Sequence, residues 1–504
     1  MKNYLKIAVV IGAVSVVAAC KKFIAFKPQN DFLVTADSYL QSESDYQTME
    51  ISVYTPLQWL NQVVPIGDIA SDNAVAGGES ASDVLDLQQI DQFRPTPTNG
   101  TLAGIWQYAY EGVNRANYLT EYKAANPAGQ DVEFPGKDAM YGEVYFLRAY
   151  YYFTLVKMFG GVPLFTDKRL DFSSSGTLQR ATPAAVYAQI EADLNQAISV
   201  LPTTQTQQGR ATKYAAEALL GKVYLYEKKY SSAATTLQSI IDANAFTLVA
   251  KFDSIFVKSG ENGPESVFEI QYSNSSPYYQ WSNVLQGQGN YSVQQAGVRQ
   301  LAGAAAMPFA AGWSTNLPTA DLYNAYQPGD QRREGTCFDV AAYAAANPQL
   351  QVTYEVAPYE NTNYYNMKYL PRKGQTSGQQ ELNYLNNFRT IRYADVLLMA
   401  AEAYNKSTSP DDAKAQLYLN QVRRRAFQVA DATHDVTATG STLYNAILLE
   451  RRLELGMEGE RFFDLVRTGQ AATVLSNFKA GTNEVFPLPQ EEVTVSHLQQ
   501  NPGY

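Results

Sequence analysis

Thiols are scarce in this 504-residue chain: Cys20 and Cys337 are its two cysteines. With Cys20 accounted for by its signal context, no disulfide framework is left to build. Histidine is as scarce, with His434 and His497 alone, which leaves a histidine-based metal site or a Ser-His-Asp triad hard to assemble. Basic charge is in deficit, since 39 Lys and Arg stand against 49 Asp and Glu for a formal net charge of −10. A nucleic-acid partner is therefore not expected, because such binding is driven by phosphate neutralisation. The one basic triplet, Arg423-Arg424-Arg425, lies in a helical pattern with acids nearby and reads as a solvated or ion-paired face. Beyond residue 19 no stretch offers the about 20 apolar residues of a transmembrane helix. Gly77-Gly78 and Gly160-Gly161 lack the surroundings of a phosphate loop. No cofactor is implied, although scattered Asp, Asn and carbonyl groups leave calcium undecided.

The start of the chain is informative. Lys2 and Lys6 precede an uncharged stretch, residues 7–19, that is too short to span a bilayer comfortably. That is the pattern of a secretory signal. Val17-Ala18-Ala19-Cys20 resembles the bacterial lipobox, in which the cysteine is lipidated and becomes the first mature residue. Cys20 is thus expected to be an acylation point and not a redox group. Stable anchoring takes more than one acyl chain, and a lipobox cysteine typically carries several.

Aromatic residues are plentiful, with 36 Tyr and 4 Trp. Tyrosine has an apolar face and a polar tip, which suits both helix packing and wet binding surfaces. The spacing predicts helices over 105–122 and 137–159, the second apolar nearly all round and so buried among other helices. Gly160-Gly161 would cap that helix and Pro163 would stop it. Thr182-Pro183 would open the next. At 211–244, Leu220, Gly221, Tyr224, Ala233 and Leu237 fall at tetratricopeptide spacings. A second copy at 397–426 places Ala401, Tyr404, Ala413 and Leu417 likewise, with Ser409-Pro410-Asp411-Asp412 supplying cap, first-turn proline and acidic first turn. Small residues at Gly221 and Ala233 would let paired helices approach closely. Trp59 and Trp106 lie on helical patterns and are expected in the core.

Helical periodicity fades over 251–385, a stretch rich in Gly, Asn, Ser, Gln and Pro with scattered Tyr and Trp. Only 266–272 alternates enough for a short strand. An irregular stretch this long inside a compact chain is usually functional. A sugar presents hydroxyl edges and C–H faces, so its site needs flat aromatic platforms beside short polar side chains. Tyr278, Tyr279, Trp281, Tyr291 and Trp313, flanked by Asn283, Gln286 and Asn290, are the candidate ligand-binding cluster.

Four segments carry a family resemblance: "FLRAYYYFTLVKMFGGVPL" (146–164), "IRYADVLLMAAEAY" (391–404), "ERRLELGMEGERFFDLVRTG" (450–469) and "VFPLPQEEVTVSHLQQNPGY" (485–504). With them the chain resembles the SusD/RagB nutrient-uptake lipoproteins of the bacterial outer membrane over essentially its whole mature length. The resemblance implies a mostly α fold, a tetratricopeptide-like helix-pair scaffold with a long irregular, short-strand binding insertion. The corresponding division is a signal at 1–19, a helical region at 20–250, the insertion at 251–385, and a helical region with tail at 386–504. It further implies a non-catalytic glycan binder, lipid-anchored in the outer membrane, facing the exterior, and partnered with a SusC-like TonB-dependent transporter. Some relatives handle peptides, so a peptide or glycopeptide ligand is the alternative. Asp72 and Asn73, in "GDIASDNAVAGG" (67–78), resemble a family segment near the ligand site; a turn or cap role competes with that reading. Surface-exported relatives often carry acids after the lipidated cysteine, whereas this chain has Lys21-Lys22 and no acid until Asp31, which leaves the membrane face open.

Glu450, Arg451, Arg452, Glu454, Glu458, Glu460, Arg461 and Asp464 form a dense charge run. Paired carboxylates would suit a glycosidase. The preferred reading is an ion-paired helix whose Glu and Arg, three or four apart, support one another.

Overall fold

The computed structural model describes residues 39–170, 178–281 and 287–504; Cys20, Asn283 and Gln286 lie outside them. The chain divides into two units, Met1–Tyr46 with Tyr122–Glu133, and Gln47–Glu121 with Phe134–Tyr504. In the smaller, Asn126 organises a turn. Its Oδ1 accepts from the backbone N–H groups of Ala128 and Gln130, and its Nδ2 donates to the Leu40 carbonyl.

The larger unit is mostly helical. Helices α1 (Glu43–Trp59), α2 (Gly100–Glu121), α3 (Lys137–Phe159), α4 (Pro183–Val200), α5 (Lys213–Tyr226) and α6 (Tyr230–Asp242) follow one another, and each from α2 onward packs on its successor. Helix α3 is buried nearly all round, as its sequence predicts, and its bounds match the spacing. Gly160, at φ +73°, ends it. Thr182 caps α4 by accepting from the Ala185 N–H, with Pro183 in the first turn. Arg148 on α3 donates to both Asp193 oxygens of α4 at 2.7 and 2.8 Å and to Asn117 of α2, tying three helices together. Trp59 and Trp106 are buried.

The α5/α6 pair closes through Gly221. A methyl group there would lie 2.6 Å from the Leu237 side chain, so only a bare Cα fits this approach. The second pair is α7 (Tyr393–Lys406) and α8 (Asp412–Phe427), followed by α9 (Gly440–Glu454) and α10 (Arg461–Arg467). Helix α7 packs directly on α6, so the two pairs stack although some 150 residues separate them. One local expectation shifts: the cap of α8 is Asp411, accepting from the Lys414 N–H at 2.9 Å, and not Ser409. A carboxylate at the positive helix end does the work a serine would do, two residues later.

Between α6 and α7 the chain forms short antiparallel pairings, one of them with a strand that precedes α2. With β1 (Ala74–Val75), β2 (Ser266–Ile270), β3 (Leu317–Pro318), β4 (Cys337–Asp339), β5 (Tyr364–Asn366) and β6 (Phe388–Arg392), the pairs are β1–β3, β2–β6 and β4–β5. The β2–β6 pair brings the stretch back to α7. A separate apolar cluster, including Val298, Met307, Phe309, Phe338 and Leu370, fills its interior. Cys337 is buried with its thiol free. Among the described residues no helix is long and apolar enough to cross a membrane.

The charge run at 450–464 pairs mainly with distant elements and not with its own neighbours. Glu454 Oε1 accepts from Arg392 and Arg425, and its Oε2 from Arg332. Glu458 takes Arg392 and Lys368. Arg451 binds Asp395 and Asp464, and Glu450 takes Arg332 and Arg423. The triplet divides its partners: Arg423 to Glu450, Arg424 to Asp435, and Arg425 to Glu265 and Glu454. Buried charges require such partners.

Candidate functional site

The loop after β2 carries Tyr278, Tyr279 and Trp281. Asn383 clasps it like an added peptide group: its Oδ1 accepts from the Tyr279 N–H at 2.8 Å, and its Nδ2 donates to the Tyr279 carbonyl at 3.0 Å. Trp281 then projects into solvent, 59% exposed. Its backbone N–H donates to Gln379 Oε1 and its indole N–H to Glu381 Oε1, each at 3.2 Å. Gln379 also donates to Glu381 at 3.1 Å. Burial opposes ionisation of Glu381, but hydrogen bonds from its own backbone, Gln379 and Trp281 hold its carboxyl below the usual range.

Trp313 stacks on Trp281 with ring centres 5.9 Å apart and planes 27° from parallel. It is half-buried, and its backbone is fixed from both sides: its N–H donates to the Gln294 carbonyl at 2.7 Å and its carbonyl accepts from Arg299 at 2.9 Å. Beneath the pair, Tyr279 is buried and meets Tyr291 edge-on at 5.9 Å. Trp59, Leu382, Tyr108, Tyr291 and Trp313 pack in the same cluster. Burial pushes the Tyr279 and Tyr291 phenols upward, so both stay neutral. Tyr278 is half-buried, its ring laid over Gly378. Asn290 is buried and committed to the Asn386 carbonyl and to Ser292. Of the aromatic candidates, Trp281 is exposed, Trp313, Tyr278 and Tyr291 are half-buried, and Tyr279 is buried; Tyr279 and Tyr291, edge-on to one another, lie in the cluster that supports Trp313.

Asp72 and Asn73 stand differently. Asp72 takes Arg461 in two hydrogen bonds, at 2.7 and 2.9 Å, and Arg452 at 3.2 Å. Burial raises its carboxyl, but the arginines win and hold it below its usual range. Asn73 is fully buried, its Oδ1 accepting from Arg452 at 2.8 Å. Both side chains are thus engaged with arginines. What they fix is the backbone, because the Asn73 carbonyl accepts from the Thr319 N–H and the Asp72 carbonyl from the Thr319 hydroxyl. That sets β1 against β3, and Arg299 then bridges Asp83 at 3.1 Å to the Trp313 carbonyl. The 67–83 segment therefore flanks the tryptophan pair. Sequence reasoning missed Gln379, Glu381, Asn383 and Arg299; an "ELN" triplet 100 residues from Trp281 gives no signal.

Among the described residues no group of His, Cys, Asp or Glu is arranged to hold a metal ion. The carboxylates of the 450–464 run are paired with cations in the interior, and so do not present an acid and a base to one sugar.

Two family models cover most of the chain: one described as "Starch-binding associating with outer membrane", over residues 28–225, and one described as "SusD family", over residues 264–504. A solved structure titled "Laminarin binding SusD-like protein" is 36% identical, with 92% of this chain and all of that one covered at a TM-score of 0.82. Surface glycan-binding protein A from Bacteroides thetaiotaomicron, solved in complex with laminarihexaose, is 28% identical over 91% of this chain and 99% of its own, with a TM-score of 0.79. SusD-like protein P2 of Formosa agariphila is 27% identical over 95% of this chain and 94% of its own length. The tetratricopeptide-like scaffold, the looped insertion and these likenesses agree: the chain belongs to the SusD/RagB family.

Proposed function

We propose that this protein binds a laminarin-type glycan, without catalysis, and presents it to a TonB-dependent, SusC-like transporter from a lipid anchor at Cys20 on the outer face of the outer membrane. The observation that carries the binding is the Trp281–Trp313 pair, a flat aromatic surface with Glu381 and Gln379 beside it. Indole faces take the C–H patches of a pyranose ring, and the carboxylate and amide take its hydroxyls. Trp281, Trp313 and Tyr278 are the contact residues in this reading, Tyr279 and Tyr291 their supports, and Asp72 and Asn73 positioning residues for the flanking segment. The relatives that bind laminarin and laminarihexaose favour this glycan class, and the family's description favours the outer membrane.

The test is calorimetric titration of the mature protein with laminarihexaose. Saturable binding that Trp281→Ala weakens supports the reading. Absence of binding to laminarihexaose, together with retention on a peptide library, replaces it with peptide uptake. Protection of the protein from protease on intact cells would place it on the periplasmic side and remove the transporter-lid role.

A further inference from the structure

A cleft of about 800 Å³ opens in the larger unit between α1 and α2, covered by the loop that carries Gln207 to Arg210 and edged by Pro277 and Gln288. Its size falls within the roughly 300–1,000 Å³ of ligand pockets. The loop is held down where it crosses: Gly209, at φ +85°, sits so near Gln271 that a methyl group would lie 2.3 Å from that side chain.

The chemistry of the walls is selective. Tyr54, Trp59 and Tyr108 give an aromatic side. Every charge lining the cleft is already paired. Arg115 binds Glu111 at 2.8 Å and lies over the Trp59 ring at 5.2 Å. Arg210 binds Glu50 at 2.7 Å and Glu143 at 3.1 Å. Glu269 takes Asn387 at 3.2 Å and lies 3.8 Å from Arg389. An ionic ligand would find no free counter-charge here. By contrast, Gln107, Gln208 and Gln288 line the cleft with side-chain amides that have no hydrogen-bond partner among the described residues. A purely apolar ligand would strip these amides of water at a cost. A neutral chain rich in hydroxyls offers donors and acceptors to each amide and C–H faces to the rings.

We propose that this cleft is a second binding site for a neutral oligosaccharide, distinct from the Trp281–Trp313 platform. It rests on the glycan-binding reading above and extends it. The two sites border one connecting loop, since Pro277 lies on the rim of the cleft and Trp281 four residues further on.

The test compares the mature protein, Trp281→Ala, and Trp281→Ala combined with Gln107→Ala and Gln208→Ala, by calorimetry with laminarihexaose, cellohexaose and maltohexaose. Both glutamines are exposed, and thermal melts confirm that each variant folds. Trp281→Ala should keep residual saturable binding, and the combined variant should weaken that remainder at least tenfold. Complete loss in Trp281→Ala alone, or a remainder indifferent to the glutamines, overturns the second site and leaves the function standing. An unsubstituted protein that binds none of the three sugars overturns both.

Discussion

Asp72 and Arg461 stand 389 positions apart in sequence and meet in a two-pronged ion pair at 2.7 and 2.9 Å. With Arg452 beside them, they join the family's C-terminal charge run to the segment that flanks Trp313. Asp72→Ala leaves two guanidinium groups short of a partner in a largely buried setting. A loss of about 2 kcal/mol is expected from charge-assisted hydrogen bonds of this kind, read as a lower midpoint in denaturant. If Asp72 acts only through the backbone, Asp72→Asn, which retains one acceptor, should recover most glycan affinity.

Trp281 is exposed and, among the described residues, lies outside the buried aromatic cluster, so Trp281→Ala should leave the melting temperature nearly unchanged. Its loss from the platform should weaken laminarihexaose binding by about tenfold or more, equivalent to about 1.4 kcal/mol. Trp313→Ala should weaken binding too and also lower the melting temperature, since Trp313 packs on the buried cluster of Trp59 and Tyr279. Unchanged affinity in both variants would remove this site.

Glu454 is the hub of the interior network. Burial works against its charge, but Arg425, Arg392, Arg332 and Lys368 outweigh it and hold the carboxyl well below its ordinary 4.5. A depressed folded value stabilises above the unfolded one and is lost as pH falls. Stability should therefore drop on acidification below about pH 4.5. Glu454→Gln should cost about 3–5 kcal/mol at neutral pH by leaving buried cations uncompensated, and the variant should lose less on acidification than the parent. Urea melts at pH 7 and pH 4 read both effects.

Glu50 and Glu143 share Arg210 under the cleft loop. Burial and the neighbouring Glu143 raise Glu50 to about 8. Here the folded form holds a proton that the unfolded form has released, so this contribution shrinks as pH rises from about 4.5 to about 8 and then levels. Glu50→Gln should flatten that decline, so that the stability difference between pH 6 and pH 9 is smaller than in the parent. An equal slope in both proteins would place the proton elsewhere.

Much of the scaffold is legible in the sequence because helices announce themselves at short range. The bounds of α3, the Thr182 cap and the close approach at Gly221 all follow from spacing within a few residues. Where the outcome depends on distant partners, legibility ends. Strand β1 has two residues, too few for any periodicity, and finds its partner β3 more than 240 positions away. The 450–464 run looked self-sufficient, with Glu and Arg three or four apart, yet its strongest partners are Arg332, Arg392 and Asp395 on other elements. The same holds for the site. Composition points to Trp281 and Trp313, but nothing local shows that Tyr279 would be buried beneath them or that Glu381 would meet the indole N–H.

The stacking of α7 on α6 also has a kinetic side. The first helix pair is complete by Asp242, and the surface it must cover belongs to a helix that begins at Tyr393. While the intervening residues are still being made or exported, α6 waits with an apolar face uncovered. Closing so long a loop adds only slowly to the entropic cost, as the logarithm of its length, but contacts this distant in sequence slow folding. The joint between the two halves is thus where assembly finishes last, and where a chain cut short before Tyr393 would be left adhesive.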